Sequence, residues 1–366
     1  MRSATIAGRL FPPLDRRLWI PPRGPSLGLS RAVCEANRAG SFPKAAALLA
    51  LLAGLRLSVK RVQLITEQVG ARMDQTQQQQ TNAFLQAGCM PGGAAVPLLV
   101  VSADGGRVQT RQADPERKWK ETRVGVVYEA VPRPEQPGQD YQGARCGARS
   151  VLAGLDSWER FGERLSAMAD ARGYARAPEK VFIGDAASSL RAVRERCFPD
   201  AQFILDWIHA VEHVHACATA RFGAGPAART WFERQKDRLW QGQLTAFFAA
   251  LDRAGRELGA PPDGADENDP RRVLATNRQY FRTNRAGLDY PAFRRRGWPV
   301  ASGITEATVK QLGLRVKGSE KHWTVAGAHR QRGAQALPTL QVISALIATD
   351  GAWERFWKHY PLSWAA

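Results

Sequence analysis

Apolar runs with the two-residue period of strands occur in the middle of the chain, between segments with a helical period. Two of these runs, residues 96–104 and 121–131, are separated by polar residues, which predicts antiparallel neighbours. A β-α-β-α-β alternation follows and indicates parallel strands with helices packed on them. Its helices and strands are expected at residues 157–173, 180–185, 188–197 and 201–207. We therefore predict an α/β fold with a mixed sheet, antiparallel in its first strands and parallel in the remainder.

Proline, glycine and arginine dominate residues 1–40, which we interpret as an arm because proline removes backbone donors and fixes φ. From Ser41 the pattern becomes helical, with Ser41 capping one helix and Ser58 capping a second that closes on Gly70. Two helices joined by a short glycine-containing turn predict a helix-turn-helix DNA-binding domain over residues 41–73. A plain helical hairpin fits the same pattern.

The second of these helices carries polar side chains opposite its apolar side. We expect Lys60, Arg61 and Gln63 to point outward and to contact DNA phosphates and base edges. Residues 74–95, which include the run DQTQQQQT, are predicted to form a polar linker.

Between about His213 and Tyr290 the strand pattern disappears, and an aromatic-rich helical period replaces it. We interpret residues 213–290 as a helical insertion that divides the α/β core. Residues 96–212 then form the first part of the core, and residues 291–366 form its final helices and a C-terminal tail. The aromatic residues of the insertion are expected to pack as its own core, because aromatics at helical spacing usually reflect packing.

The composition favours a polyanionic partner. The formal net charge is +18 and the pI is about 10.4, and an anionic membrane is the competing partner. The excess of Lys and Arg is concentrated in residues 1–73 and 271–330, which favours DNA contacts at two places over a merely solvated basic face.

The sequence carries no sign of a membrane or secreted protein. It has no run of about 18 apolar residues and no signal-peptide pattern, so we expect a cytoplasmic protein without a membrane partner. Its five cysteines include no Cys-x-x-Cys pair, which argues against a disulfide framework and against a cysteine zinc site.

Three acidic residues occupy similar positions in the pattern. Asp104 and Asp185 end predicted strands, and Glu306 lies in the first turn of a predicted helix, where the helix dipole favours a carboxylate. Such a set suits two Mg²⁺ ions, or Mn²⁺ in their place, because hard cations bind carboxylate oxygens. A pair of these ions can bind the attacking and the leaving oxygen when a phosphodiester is displaced. We predict that these acids are catalytic metal ligands. Taken singly, Asp104 also fits a hairpin turn and Asp185 a helix N-cap.

Two nearby features compete with this site. Asp206 also ends an apolar strand, and we rank it with His209 as a residue that contacts the metal ligands rather than the metal. His209, Glu212 and His213 fit the His-x-x-Glu-His zinc-protease pattern, which we discount because such a site needs a third ligand.

Basic and aromatic side chains follow Glu306 along the chain. They are candidates to hold DNA phosphates, and the tryptophan among them to stack on a base, although core packing suits it equally. These candidates are Lys310, Arg315, Lys317, Lys321 and Trp323.

Three groups of motifs carry a family resemblance. They are DGGRVQTR with WKETRVGVVYEA, FIGDAASSL with FPDAQFILDWIHAVEH, and GWPVASGITEATVKQLGLRVKGSEKHWTVAGA. In the residues of these motifs and in their order, the chain resembles the DDE transposases of bacterial insertion sequences, most closely the ISKra type. The resemblance covers most of residues 11–360. The chain departs from that family after Asp185, where it has Ala186 in place of the usual glycine.

The resemblance implies a ribonuclease H-like core with an inserted helical region, Mg²⁺ dependence, and the acids Asp104, Asp185 and Glu306 as the catalytic set. It implies double-stranded DNA partners, namely terminal inverted repeats and target DNA, a homo-oligomer that pairs two DNA ends, and a place at the bacterial nucleoid. Two alternatives stay open: a non-catalytic DNA-binding protein derived from a transposase, and a structure-specific nuclease of the same fold.

Overall fold

The computed structural model describes residues 4–6, 9–11, 24–90, 93, 95–111, 119–134, 141, 143–318, 321, 323–324 and 334–360. Within these ranges, no helix combines the length and the apolar character that crossing a membrane requires. Near the N-terminus, strands β1 (Ala4–Ile6) and β2 (Arg9–Phe11) pair in an antiparallel fashion.

Three helices follow: α1 (Leu27–Ala36), α2 (Phe42–Ala53) and α3 (Val59–Ala87). The two predicted serine caps are present. The Ser41 hydroxyl accepts the N–H of Lys44 (3.4 Å), and the Ser58 hydroxyl accepts the N–H of Arg61 (3.2 Å). Gly54 ends α2 in the left-handed conformation (φ 66°), which glycine adopts without a steric penalty.

The third helix is longer than predicted, so the expected linker over residues 74–95 is wrong. Helix α3 continues through Gly70 to Ala87, and the DQTQQQQT run lies within it. Glutamine is a good helix former, and only Gly88, with φ 72°, ends the helix. The predicted arm is also more ordered than expected, because its last third contains α1, capped by Ser26.

Five strands in the described part of the chain form the central sheet: β3 (Leu98–Gln109), β4 (Trp119–Pro132), β5 (Ala144–Gly154), β6 (Glu179–Gly184) and β7 (Gln202–Leu205). Their spatial order is β5-β4-β3-β6-β7. Pairing is antiparallel from β5 to β3 and parallel from β3 to β7, which confirms the predicted mixed sheet. Strand β5 was not predicted, because its sequence ARCGARSVLAG is poor in β-branched residues.

Helices make up most of the described chain after β7, and the helical period predicted for residues 213–290 is confirmed. The predicted start of the insertion falls inside α6 (Trp207–Phe222). Strands β8 (Trp323–Thr324) and β9 (Ala334–Gln335) form a short parallel pair. The helices are α4 (Trp158–Ala171), α5 (Ser188–Cys197), α6 (Trp207–Phe222), α7 (Pro226–Trp240), α8 (Leu244–Leu258), α9 (Pro270–Thr283), α10 (Tyr290–Arg295), α11 (Gly303–Val316), α12 (Ala336–Ile347) and α13 (Ala352–His359).

Different helices cover the two faces of the sheet. Leu152 and Ala153 are neighbours on β5 and therefore point to opposite faces. Leu152 is buried in the core that contains Phe161 and Leu165 of α4. Ala153 belongs to the second core, where Gln341 of α12 donates a hydrogen bond to its carbonyl (2.9 Å).

The N-terminal helices share this second core with the C-terminal helices. Val62 and Ile65 of α3 are buried in the same cluster as Leu340 of α12. The two helices approach so closely that a Cβ on Gly70 would lie 1.9 Å from the carbonyl oxygen of Pro338. Residues 41–73 are thus packed on the rest of the chain and do not have a core of their own.

Candidate catalytic site

The first two acids of the predicted site lie at two neighbouring parallel strands, Asp104 within β3 and Asp185 directly after β6. Ser102 of β3 pairs with Ile183 of β6, and extending this register by two residues sets Asp104 beside Asp185. Adjacent strands lie about 4.8 Å apart, and residues at the same register of a parallel pair face the same side. One detail of the prediction is wrong: Asp104 does not end its strand, because β3 stays paired with β4 as far as Gln109.

The Asp104 carboxyl is partly buried among like charges. Burial raises its pKa, and the negative charges of Asp185 and Glu306 raise it further. The hydrogen bond from the Gly105 N–H to Asp104 Oδ1 (2.6 Å) and the charge of His209 act in the opposite direction. Three carboxylates from separate elements therefore lie within electrostatic range, an arrangement that a bound cation stabilises.

Glu306 enters the site from the first turn of α11. Its side chain is 28% exposed, and its Oε2 lies 3.8 Å from the ammonium of Lys310, one turn further along the helix. Its Oε1 is buried and has no hydrogen-bond partner within the described residues. A buried carboxylate oxygen without a donor costs free energy unless a cation or a ligand satisfies it.

The donor set fits a hard divalent cation. All three acids supply carboxylate oxygens, which Mg²⁺ and Mn²⁺ prefer. In the described ranges, no three His, Cys, Asp or Glu side chains are grouped so as to hold one ion. Mg²⁺ does not require such a group, because it usually keeps several waters and binds through one or two carboxylates plus substrate phosphates. The arrangement therefore fits ions held by one or two of these acids each.

The turn after Asp185 is strained and contacts the helical insertion. Ala186 has φ 60°, a left-handed conformation that costs a residue with a Cβ about 1–2 kcal/mol. Asp185 Oδ1 accepts the N–H of Ala187 (2.9 Å), and the Tyr280 hydroxyl of α9 donates to the Asp185 carbonyl (2.7 Å). The insertion thus stabilises the conformation of a predicted catalytic residue directly.

Asp206, the rival acid, is fully buried and both of its carboxylate oxygens accept hydrogen bonds. Its Oδ1 accepts the N–H of Ile208 at the start of α6 (2.9 Å), and its Oδ2 accepts the hydroxyl of Ser302. Asp185, in contrast, is partly exposed. The geometry favours Asp185 over Asp206 as the acid that faces a ligand.

His209 lies close to Asp206 and within electrostatic range of the predicted catalytic acids Asp104 and Asp185. Its Nε2 is 4.0 Å from Asp206 Oδ2, and its Nδ1 is 3.2 Å from Glu212 Oε2. Burial alone lowers the pKa of His209, but the charges of Asp206, Asp185 and Glu212 outweigh burial and raise it above the ordinary value. His209 therefore keeps a positive charge beside the acids to a higher pH than a free histidine.

His213, the second histidine of the zinc-protease pattern, is engaged by the insertion. Its Nδ1 contacts the side-chain oxygen of Asn277, and its ring stacks on Tyr280 with centroids 3.8 Å apart. Burial lowers its pKa, which favours the neutral ring. Tyr280 therefore contacts both His213, through ring stacking, and the Asp185 carbonyl, through its hydroxyl.

Most of the predicted DNA-contacting lysines lie at the surface. Lys60 and Arg61 are exposed in the first turn of α3, and Lys310 and Lys317 are exposed on α11 and at its end. The ammonium of Lys321, which is half-buried, donates to a backbone carbonyl of α11 (3.0 Å). These positions leave two basic surfaces, one at the start of α3 and one along α11.

Gln63 does not face solvent, which contradicts its predicted contact with DNA. Its side chain is buried, and its amide donates to Glu67 Oε1 (2.7 Å). The prediction assumed a single apolar stripe, but α1, α2, α4 and α12 all pack on α3 and bury a wide arc of it.

Arg315 and Trp323 both lie in the core. The predicted DNA contact of Arg315 is therefore wrong, and for Trp323 core packing, the alternative to base stacking, is confirmed. The Arg315 guanidinium lies 4.2 Å over the Phe42 ring and 5.7 Å over the Trp323 ring, and it donates to Asn37 Oδ1 (3.3 Å). Trp323 is 3% exposed and donates to the Val316 carbonyl (2.8 Å). Burial lowers the pKa of Arg315 to about 10, so it is still charged at neutral pH. These residues join α2 to α11.

We expect Arg315→Met to leave DNA affinity unchanged and Lys317→Ala to weaken it. Arg315 is buried and cannot reach a phosphate, so its loss affects stability and not DNA affinity, because the buried Asn37 Oδ1 then lacks its donor and the contacts with the Phe42 and Trp323 rings are lost. Loss of one phosphate contact at Lys317 lowers the number of counterions released on DNA binding by about one, and the salt dependence of the affinity becomes correspondingly weaker. Fluorescence anisotropy with duplex DNA over a salt series measures both effects. Equal losses in both variants contradict this assignment.

Two contributors to the site escaped sequence reasoning, namely Tyr280 and Ser302. Tyr280 has the helical spacing that indicates core packing, and a single serine before a helix indicates only a cap.

A scan against protein-family models finds no match to this chain, and a search of curated proteins finds no significant match.

Proposed function

We propose that this protein is a DNA transposase that cuts and joins DNA at the ends of an insertion sequence by metal-dependent phosphoryl transfer. One observation carries the proposal: the parallel register of β3 and β6, extended by two residues, sets Asp104 beside Asp185, and the charges of Asp185 and of Glu306 from α11 act on Asp104. Carboxylates that converge from separate elements are costly without a cation, and phosphoryl-transfer sites use this arrangement to bind metal. The motif resemblance supports the same reading.

The chain's own residues bind and orient the reacting groups in this proposal. Metal ions bound here supply Lewis-acid polarisation of the scissile phosphodiester and a more acidic attacking water. Asp104 and Asp185 would hold the cations, and Glu306 would complete the set with its Oε1, which has no hydrogen-bond partner in the described part of the chain. The exposed ammonium of Lys310 holds a DNA phosphate beside the site. Hydrolysis of one phosphodiester leaves a 5′-phosphate and a free 3′-hydroxyl. That hydroxyl then attacks a phosphodiester of the target DNA, so that a new phosphodiester forms as the target bond breaks and releases the target strand's 3′-hydroxyl.

The strand order supports a ribonuclease H-like core. Its three antiparallel strands are followed by two parallel ones, and the order β5-β4-β3-β6-β7 makes β3 and β6 neighbours. The helices α6 to α10 lie between β7 and α11 in sequence, as expected for an inserted helical region. In this arrangement the core strands carry two acids, and the third arrives after the insertion.

Helices α2 and α3 support DNA recognition as a helix-turn-helix. Helix α3 begins with exposed Lys60 and Arg61, the residue types that contact phosphates and base edges from the start of a recognition helix. Together with the lysines of α11, they provide separate basic surfaces for terminal repeats and target DNA. Two DNA ends require at least two protomers, so we propose a homo-oligomer on DNA at the bacterial nucleoid.

A nicking assay tests the proposal. The unmodified protein is incubated with Mg²⁺ or Mn²⁺ and a labelled duplex that carries the inverted repeats flanking its gene. We expect strand nicking that Asp185→Asn and Glu306→Gln each reduce on the order of 10³-fold, since a metal contribution of several kcal/mol corresponds to this factor.

Glu233→Gln is the matched control, because Glu233 is an exposed carboxylate on α7 that pairs with Lys236. It is expected to nick at the unmodified rate. Binding of the repeats without any nicking by the unmodified protein contradicts the enzyme and favours the non-catalytic DNA-binding alternative. Nicking without joining to target DNA favours the structure-specific nuclease.

A further inference from the structure

A buried side-chain hydrogen bond ties the end of β7 to the start of α11. The Ser302 hydroxyl donates to Oδ2 of Asp206, and both residues are buried. A backbone bond runs alongside it, from the Trp207 N–H to the Val300 carbonyl (2.9 Å). Asp206 itself is fixed to the sheet, since its N–H donates to the Gly184 carbonyl of β6 (3.0 Å). The segment before α11 is therefore fastened to the sheet beside the catalytic strands.

Ser302 occupies the N-cap position of α11 but does not act as an ordinary cap. An N-cap serine usually accepts an N–H of the first helical turn through its hydroxyl, and Ser302 makes no such bond. Its hydroxyl donates to Asp206 instead. Its carbonyl accepts the N–H groups of Thr305 (2.7 Å) and Glu306 (3.0 Å). Ser302 thus links Asp206 on one side to the Glu306 backbone on the other.

We propose that Asp206 is a positioning residue that sets Glu306 against Asp104 and Asp185 through Ser302. This inference rests on the proposed function. Glu306 Oε1 has no hydrogen-bond partner among the described residues, so no donor holds that oxygen in place. Its position then follows from the placement of the first turn of α11.

A carboxylate suits this role better than a neutral acceptor. Hydrogen bonds to an ionised acceptor are roughly twice as strong as neutral ones, and Asp206 accepts two of them, from Ile208 and Ser302. Burying a carboxylate is unfavourable unless its oxygens are satisfied, so this residue specifies the geometry around it strictly. An error of about 1 Å in the placement of a catalytic group can cost about 10²-fold in rate.

Hydrogen exchange of the full chain tests the link without any reaction. We expect Ser302→Ala to raise exchange about 10-fold in the first turn of α11, and Ser302→Thr, which retains the hydroxyl, to restore it. Ser150→Ala is the matched control, because Ser150 is also buried and donates to a carboxylate, Asp350 (2.5 Å). That variant is expected to leave α11 unchanged.

Nicking kinetics test whether the link matters for catalysis. We expect Ser302→Ala to lower kcat about 10- to 100-fold with unchanged KM for DNA, and Ser302→Thr to recover most of the loss. Ser150→Ala keeps the unmodified kcat. Nicking by Ser302→Ala at the unmodified rate overturns the proposal. If the unmodified protein nicks no DNA, the proposed function is wrong, and hydrogen exchange alone tests the link from Asp206 to α11. Unchanged exchange in Ser302→Ala then overturns this link, and faster exchange supports it.

Discussion

Asp104→Asn is expected to lower strand nicking on the order of 10³-fold and, in metal-free buffer, to make the folded protein more stable at neutral pH. The first effect follows because the amide loses the charge that holds a cation. The second follows because Asp104 is partly buried and its charge faces Asp185 and Glu306, which together with burial raise its pKa. Under the proposed function, the Asp104 carboxylate favours metal binding at the expense of stability without metal.

The pH dependence of that stability difference has a definite sign. A folded-state pKa above the ordinary 3.8 means that the folded chain holds the proton more tightly than the unfolded chain. Stability of the unmodified protein therefore falls as pH rises from about 3.8 through the raised pKa, and it stays lower above that pKa. Asparagine has no proton to lose. Urea unfolding of both proteins across this range measures the difference, which is expected to vanish at low pH.

Asp200→Asn provides a control of opposite sign. Despite some burial, hydrogen bonds from Lys180 (2.5 Å) and Tyr174 (2.6 Å) lower the pKa of Asp200. Its removal is expected to destabilise the protein above that pKa and to leave nicking unchanged.

Mg²⁺ should raise the stability of the unmodified protein and not of Asp104→Asn, because a ligand stabilises the state that binds it. Equal stabilisation of both proteins by Mg²⁺ refutes the metal role of Asp104.

Gly70→Ala is expected to lower the free energy of unfolding by about 3 kcal/mol or more. The new Cβ would lie 1.9 Å from the Pro338 carbonyl oxygen, and both partners are backbone, so α3 and α12 must separate. Overpacking of a tight contact typically costs about 1–3 kcal/mol, and more where the neighbour cannot move. This loss exceeds the gain of up to about 1 kcal/mol from replacing glycine inside a helix. Chemical denaturation followed by circular dichroism measures the change.

Gly28→Ala is the matched control, because Gly28 is also helical and a Cβ there meets no atom within 4 Å. It is expected to be neutral or slightly stabilising. A Gly70→Ala variant as stable as Gly28→Ala contradicts the close approach of α3 and α12.

The parts of the fold that sequence reasoning predicted correctly are those with strong local periodicity. The apolar runs of β3, β6 and β7 could be recognised because buried strands are nearly continuous in apolar residues. Strand β5 lacks that signal, since its glycines and arginines fit an edge strand that gains its order from β4 and α12. The length of α3 was missed because its glutamine-rich half is stabilised by packing on α4, where Arg164 pairs with Asp74 (2.8 Å).

In the candidate site, too, sequence reasoning predicted what depends on local pattern and missed what depends on distant contacts. The proximity of Asp104 and Asp185 follows from the strand order, which the alternation of helices and strands indicates. The burial of Arg315 does not, because its aromatic partner Phe42 is remote in sequence. Local sequence patterns cannot reveal packing between segments that are far apart in the chain. Until the packing of Arg315 on Phe42 is known, a basic residue in a basic segment resembles a DNA contact.

The shared core of the first and last helices has a consequence for how the chain folds during synthesis. Helices α1 to α3 are synthesised before α12, yet Val62 and Ile65 are buried in the same cluster as side chains of α12. The part of the α3 surface that packs on α12 therefore lacks this native partner until residues 336–347 have been synthesised. A chain interrupted before residue 336 would expose that apolar surface to chaperones and proteases.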